Sequence, residues 1–141
     1  MAENSPPPLI EWDDSLLVGE TTIDEQHKLL AEQLNRLHAS LVHHAQLEEV
    51  VALLKAVLQH IEIHFAYEER LMTSIGYKNM NSHLALHAHL LEDLRSVIRD
   101  VASRRYEELE EMLENYLKFW LLDHIQHVDK PLGLELKKSM A

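Results

Sequence analysis

The strongest constraint on the fold is a helical stripe that is apolar for most of its length and then includes ionisable residues. Between residues 50 and 75, apolar positions recur at alternating steps of four and three, and His64 and Glu68 lie in register with them. A helix turns by about 100° per residue, so positions in this register share one face and enter the core together. Burying an unpaired carboxylate is costly, and a bound cation would remove that cost. The stripe therefore predicts a core helix that carries metal ligands.

Similar stripes recur along the chain. They predict four amphipathic helices, over about residues 22–41, 48–75, 82–101 and 106–130. Because the connections are short, consecutive helices should be antiparallel neighbours. We therefore predict an all-α protein with an up-down-up-down four-helix bundle over residues 22–131. An N-terminal arm (1–21) should pack on the bundle, and a short C-terminal tail or helix (132–141) should follow it.

Local signals mark the ends of these helices. Thr22 followed by Glu25 resembles a capping box at the first start. Gly76 can adopt the left-handed conformation that ends a helix. Pro131 should stop or kink the fourth helix, because proline has no N–H to donate.

Composition limits the kinds of metal ligand and binding partner that this chain can have. The 141-residue chain has the size of one domain, and its lack of cysteine means that any metal must use nitrogen and oxygen ligands. A formal charge of −11 argues against binding to nucleic acids or anionic membranes. No uninterrupted apolar run approaches the roughly 20 residues of a membrane span, and the N-terminal residues do not resemble a signal segment. We therefore expect a cytoplasmic protein without a membrane span.

Ionisable residues interrupt the apolar stripe of every predicted helix. The six in register are His27, His64, Glu68, His83, His87 and His124. Asp129 follows His124 by five residues, an offset of about 140° on an ideal helix. It could join the others only if the helix loosens, and Pro131 gives a reason for loosening there.

Five imidazoles and two carboxylates exceed the four ligands of a structural zinc, so two metals fit better. If both carboxylates and a solvent-derived group bridge the metals, three histidines complete six-coordination at one metal. Two histidines then leave a vacancy at the other. Imidazole with carboxylate favours iron, manganese, cobalt or zinc over calcium or magnesium, and the residues themselves do not decide among these.

Four motifs, in this order and spacing, resemble those of the hemerythrin family, in particular its single-domain bacterial members. They are Ile23-Asp24-Glu25-Gln26-His27, His64-Phe65-Ala66-Tyr67-Glu68-Glu69, Gly76-Tyr77 leading to His83 and His87, and Trp120-Leu121-Leu122-Asp123-His124-Ile125 followed by Asp129. The match spans about residues 12–130. One departure is Lys78, where many relatives have proline.

The resemblance implies two non-haem iron ions with an oxo or hydroxo bridge, and reversible dioxygen binding at one of them. By this resemblance, one iron is bound by His83, His87 and His124, the other by His27 and His64, and Glu68 and Asp129 bridge them. It also implies an oxygen-binding protein rather than an enzyme.

Apolar residues beside these ligands should line the oxygen pocket. They are Phe65, Trp120, Leu121 and Ile125, with Ile23 as a further candidate. Core packing is the simplest role for such side chains and is compatible with lining a pocket. A dry pocket would slow the proton-driven loss of reduced oxygen species. Leu121 lies one turn before His124, and we expect it to gate the vacancy.

Three functions remain open at this stage. The first is a monomeric oxygen carrier or store, which would supply an oxygen-using enzyme or buffer dioxygen. The second is a sensor of dioxygen or nitric oxide that acts through a separate partner. The third is a di-iron oxidase or peroxidase, although ferritin-like oxidases use four carboxylates and paired Glu-x-x-His motifs, which this sequence lacks.

We predict no functional role for the other histidines or for one acidic cluster. The histidines lie off the stripes or in a loop, and we expect solvated or partly buried side chains. They are His38, His43, His44, His60, His89 and His127. His60 and His127 are the closest rivals to the predicted ligands. The glutamates at 107, 108, 110 and 111 should form a solvated start of the fourth helix.

Overall fold

A computed structural model describes residues 8–103 and 109–140, and this part of the chain is all-α, with four long helices and no strand. The first three are α1 (Thr21–Val42), α2 (Leu47–Ile75) and α3 (Met80–Ala102). The fourth, here called the C-terminal helix, runs over 109–140. The predicted helix start at 106–108, the arm residues 1–7 and residue 141 lie outside the described residues.

Helix ends agree with the sequence at one position and differ at another. Gly76 ends α2 in the left-handed conformation, with φ 59°, as predicted. The capping box at Thr22 and Glu25 was a wrong prediction. Glu20 caps α1 instead, because its Oε2 accepts a hydrogen bond of 2.7 Å from the Ile23 N–H.

The C-terminal helix continues through Pro131 to Met140, so the predicted stop was wrong and residues 132–140 extend the fourth helix. Two wide, π-helical turns interrupt it, at Leu113–Leu117 and Ile125–Asp129. In the second, the Lys130 N–H donates to the Ile125 carbonyl, five residues back. Since Pro131 has no N–H, it imposes no ordinary helical hydrogen bond on the turn before it. The loosening that Asp129 required is therefore present.

The helices pack as an antiparallel bundle. α2 lies between α1 and α3, and the C-terminal helix contacts α1 near its start and α2 near its end. The Tyr116 hydroxyl links it to α3 by donating to Asp93 Oδ2 over 2.7 Å. Each helix supplies fully buried leucines to one core, among them Leu30, Leu54, Leu90 and Leu113.

The described part of the arm, 8–20, packs on the bundle. The Ile10 N–H donates to Asn35 Oδ1 over 2.7 Å, and Asn35 Nδ2 donates back to the Ile10 carbonyl over 2.9 Å. Further along, the arm crosses the C-terminal helix at Gly133. A Cβ on Gly133 would lie 2.1 Å from the Val18 carbonyl oxygen, so only glycine permits this approach.

By length and composition alone, α2 could cross a membrane, with a mean hydropathy of 1.3 in its most apolar 18-residue window. Core helices of soluble bundles pass the same test, so this property is weak support for a span. The buried face of α2 carries His64 and Glu68, which lie among the other helices of the bundle.

Candidate metal centre

All seven predicted ligands lie together in the interior, where the four helices meet. None is more than 4% exposed. α1 contributes His27, α2 contributes His64 and Glu68, α3 contributes His83 and His87, and the C-terminal helix contributes His124 and Asp129. The pairs four residues apart on α2 and α3 reach a shared centre because each lies on one helix face.

The ligand atoms form two overlapping groups. One contains His83, His87 and His124, here called the three-histidine group, and the other contains His27 and His64, the two-histidine group. Glu68 and Asp129 belong to both, and within each group the candidate ligand atoms lie within 4.8 Å of one another. Such sharing indicates two neighbouring metal positions rather than one.

The carboxylate of Glu68 divides its two oxygens between the groups. Oε1 lies 3.1 Å from His87 Nε2 and 3.3 Å from His83 Nε2. Oε2 lies 3.5 Å from His64 Nε2. Glu68 therefore presents one oxygen to each group.

Asp129 is arranged in the same way. Its Oδ1 lies 3.2 Å from both His83 Nε2 and His124 Nε2, and its Oδ2 lies 2.9 Å from His27 Nε2. The wide turn Ile125–Asp129 accounts for this placement, because an extra residue in the turn brings position 129 onto the face of His124.

Polar atoms without hydrogen-bond partners concentrate in this cluster. Among the described residues, ten buried side-chain nitrogen and oxygen atoms lack a hydrogen bond, and nine of them belong to the seven residues. Several approach one another closely but without hydrogen-bond alignment, as expected for lone pairs that converge on a common ion. Imidazole nitrogens with carboxylate oxygens suit first-row transition metals, so the donor set fits a pair of iron ions.

Burial keeps two of the imidazoles neutral. Burial, together with the neighbouring imidazoles, lowers the pKa of His64 to about 3 and that of His87 to about 2. A neutral imidazole is the form that binds a metal. These two side chains therefore meet that requirement over the whole physiological range.

Burial and close neighbours also shift the pKa values of Glu68, Asp129 and His83. Burial and then the Asp129 charge raise the pKa of Glu68 well above its ordinary value. For Asp129, burial would raise the pKa, but the close imidazoles of His124, His27 and His83 outweigh burial and lower the pKa strongly. For His83, burial would lower the pKa, but the close carboxyl groups of Asp129 and Glu68 raise it to about 9.

A residue that the sequence analysis did not single out orients His64. The His64 Nδ1–H donates to Gln26 Oε1 over 2.6 Å, which leaves Nε2 directed at the carboxylates. Such a contact fixes the tautomer and the ring orientation of a ligand histidine. Gln26 directly precedes His27, but its role depends on a partner 38 residues away, which the sequence does not reveal.

The predicted pocket residues occupy two kinds of position. Phe65 stacks on His87 with ring centroids 3.6 Å apart and planes 2° apart, and Trp120 stacks on His124 at 4.6 Å and 18°. These two aromatics thus contact the three-histidine group. Leu121 and Ile125 are fully buried aliphatic side chains on the same helix.

The rival histidines lie outside both ligand groups. His60 is half-buried, and the side chain of His127 is 73% exposed. His38 differs from its expected solvated or partly buried state, since it is buried against the C-terminal helix. It lies outside the cluster described above.

Comparison with known proteins agrees with this geometry. Residues 18–133 match the family model for the hemerythrin HHE cation binding domain. The chain belongs to the hemerythrin family. Hemerythrins bind dioxygen at a site of two non-haem iron ions, and the family and fold predicted from the sequence are thereby confirmed.

Individual relatives show the extent of the similarity. The chain is 31% identical to a bacteriohemerythrin of Stenotrophomonas maltophilia over 94% of its own length and 84% of that protein. It is 32% identical to a myohemerythrin of Theromyzon tessulatum over 77% and 84%. A solved structure of wild-type hemerythrin superposes with a TM-score of 0.83 at 26% identity, covering 91% of this chain and 98% of that one.

Proposed function

We propose that this hemerythrin binds dioxygen reversibly at a pair of iron ions and acts as a monomeric oxygen carrier or store in the cytoplasm, from which an oxygen-using enzyme is supplied. One observation carries the proposal. Two buried carboxylates each direct one oxygen to a group of three imidazoles and the other oxygen to a group of two. This unequal division favours one closed metal position and one with room for a small ligand.

In this proposal, Glu68 and Asp129 would each contribute to both irons. His83, His87 and His124 would hold one iron, and His27 and His64 would hold the other. When bound, the iron pair would supply reversible electron exchange with dioxygen. The predominance of neutral imidazole over carboxylate favours the reduced state of the metals, which suits reversible binding more than oxidative turnover.

The surrounding side chains keep water from the open position. Leu121 and Ile125 are at most 2% exposed, and Ile23, one turn before His27 on α1, is completely buried. A dry, apolar surrounding slows the proton delivery that would release a reduced oxygen species and leave the metals oxidised. The same property opposes turnover as an oxidase or peroxidase.

Visible spectroscopy of the iron-loaded, chemically reduced protein through repeated addition and removal of oxygen tests the proposal. We expect a charge-transfer band that appears with oxygen and disappears on its removal, with two irons per chain throughout. One-way conversion to a ferric species would contradict reversible binding and favour the enzyme. The absence of a band despite two bound irons would contradict the open position.

A second measurement separates a carrier from a sensor. The size of the protein and of its complexes in a cell extract, compared with and without dioxygen or nitric oxide, should be unchanged for a carrier. Ligand-dependent association with a partner would overturn the carrier role and leave oxygen binding itself intact.

A further inference from the structure

We propose a second cation site, outside the iron centre of the family, where α1 meets the start of the C-terminal helix. Its ligands are His38, Glu110 and Glu114, and its cation is a divalent transition metal, with zinc the best match. The proposal does not rest on the proposed oxygen function, because none of its residues belongs to the central cluster.

The three side chains already converge. His38 Nε2 lies 2.9 Å from Glu114 Oε1 and 4.0 Å from Glu110 Oε1, and the candidate ligand atoms of all three lie within 4.8 Å of one another. Zinc bonds to nitrogen and oxygen are about 2.0–2.2 Å long, so tetrahedral ligands lie about 3.3 Å apart. Small movements of the glutamates would reach that spacing.

Burial divides the three ligands into one fixed and two adjustable groups. His38 is only 9% exposed and lies on α1 where this helix contacts the C-terminal helix. The side chains of Glu110 and Glu114 are 50% and 46% exposed, which leaves their oxygens able to move and the fourth position open to water. With a neutral imidazole, the two carboxylates carry two negative charges that a divalent cation would balance.

The contact between His38 and Glu114 repeats an arrangement found at the central cluster. There, Asp129 on the wide turn Ile125–Asp129 faces His27 of α1 at 2.9 Å. Here, Glu114 on the wide turn Leu113–Leu117 faces His38 of α1, also at 2.9 Å. His38 follows His27 by eleven residues, so it lies on the same face about three turns, or about 16 Å, further along α1. Wide turns of this kind occur frequently at functional sites.

An ion held by His38, Glu110 and Glu114 would join α1 to the first described turns of the C-terminal helix. A cation that binds the folded state and not the unfolded chain stabilises the fold by an amount that grows with the logarithm of its free concentration above the dissociation constant. We therefore expect zinc to raise the unfolding temperature of the protein without changing its iron content.

The test uses iron-loaded protein, so that the central cluster is already occupied. Zinc is titrated by calorimetry, and zinc and iron are then counted by atomic emission after gel filtration. We expect one zinc per chain with the iron count unchanged, at least a tenfold loss of zinc affinity in Glu114→Gln, and a similar loss in Glu110→Gln. The matched control is Glu111→Gln, an exposed residue of the same helix outside the cluster, which should bind zinc like the parent.

Unfolding temperatures give a second readout. Zinc should raise the unfolding temperature of the parent and of Glu111→Gln but not that of Glu114→Gln, and all three should unfold alike without zinc. Equal zinc affinity in Glu114→Gln and Glu111→Gln would overturn the proposal. So would zinc uptake matched by iron loss, or the absence of retained zinc.

Discussion

The two groups of histidines in the central cluster are held by different means. In the three-histidine group, His87 and His124 each stack on an aromatic ring, Phe65 and Trp120 respectively. In the two-histidine group, His27 and His64 meet edge to face at 4.6 Å, and a hydrogen bond to Gln26 orients His64. Aromatic rings thus pack against two imidazoles of the three-histidine group, whereas a hydrogen bond to Gln26 orients His64 in the two-histidine group. This difference fits the proposal of one closed and one open metal position.

Replacing Glu68, which both histidine groups share, should weaken metal binding at both groups. Glu68→Gln removes a charged bridge, and we expect the bound metal to fall from two ions to one or none. Since burial raises the pKa of Glu68 well above its ordinary value, the fold favours the neutral form of this side chain, and the carboxamide should change metal-free stability by less than about 1 kcal/mol. Metal content and urea unfolding measure the two effects, with the exposed Glu62→Gln as the control. Full metal retention in Glu68→Gln would refute the bridging role.

Metal loading should depend steeply on pH, because His83 must lose a proton to bind. Its pKa of about 9 in the metal-free protein means that loading at pH 7 releases this proton. Apparent affinity should then rise by up to about tenfold per pH unit for each proton released, between pH 6.5 and 9. Calorimetry in two buffers of different ionisation enthalpy counts the protons. A pH-independent affinity would contradict this protonation state.

The metal-free fold should respond to pH in two opposite ways. The raised pKa of His83 contributes stability below pH 6.5 that is lost as pH rises through about 9. The lowered pKa values of His64 and His87 contribute stability above pH 6.5 that is lost as pH falls towards about 3 and 2. The free energy of unfolding of the metal-free protein should therefore be highest near pH 6.5. A free energy of unfolding that does not change with pH would contradict this prediction.

Gln26→Leu should affect metal binding at the two-histidine group more than at the three-histidine group. It removes the acceptor of the His64 Nδ1–H, and loss of such an outer contact typically weakens metal binding by about 10–100-fold. We expect the two-histidine position to lose its metal first, so that content falls from two ions towards one. Gln26→Glu keeps an acceptor and should restore binding, and the exposed Glu25→Gln serves as the control. Equal loss from both positions would show that the contact does not act on His64 alone.

The smallest effect should come from the pocket walls. Leu121→Ala should speed autoxidation of the oxygenated protein several-fold, because it admits water beside the open position. Phe65→Leu opens comparable space on the three-histidine side and should leave autoxidation closer to the parent, at a cost of about 1 kcal/mol in stability. Stopped-flow spectra and urea unfolding report the two quantities. An unchanged autoxidation rate in Leu121→Ala would contradict the prediction that Leu121 gates the open position.

Hydrophobic periodicity was sufficient to predict the helices and most of the cluster. Six ligands lie in register with apolar stripes, and any chain that buries those stripes must bring the six inward. Asp129 was harder to place, because its position depends on a wide turn that breaks the 3.6-residue period. Pro131 gave the only hint of that turn, and the same residue led to the wrong prediction of a helix end.

Contacts between distant residues could not be predicted from one sequence. His38 lies on the buried side of α1, but its contact is with Glu114, 76 residues away on another wide turn. Gln26 lies in an identified motif but acts through His64. In both cases the partner is brought near by helix packing, which local patterns do not encode.

The wide turn before Pro131 also has a consequence for the length of the chain. A π-helical turn contains one residue more than the ordinary turn it replaces, and so behaves as a single-residue insertion that the helix has absorbed. Removing one residue between His124 and Asp129 would restore the ordinary spacing and keep both side chains on one face. The helix beyond would keep its orientation, whereas the same deletion in an ordinary turn would rotate it by about 100°. Gly133 would therefore still face Val18, and the N-terminal arm would keep its close crossing of the helix.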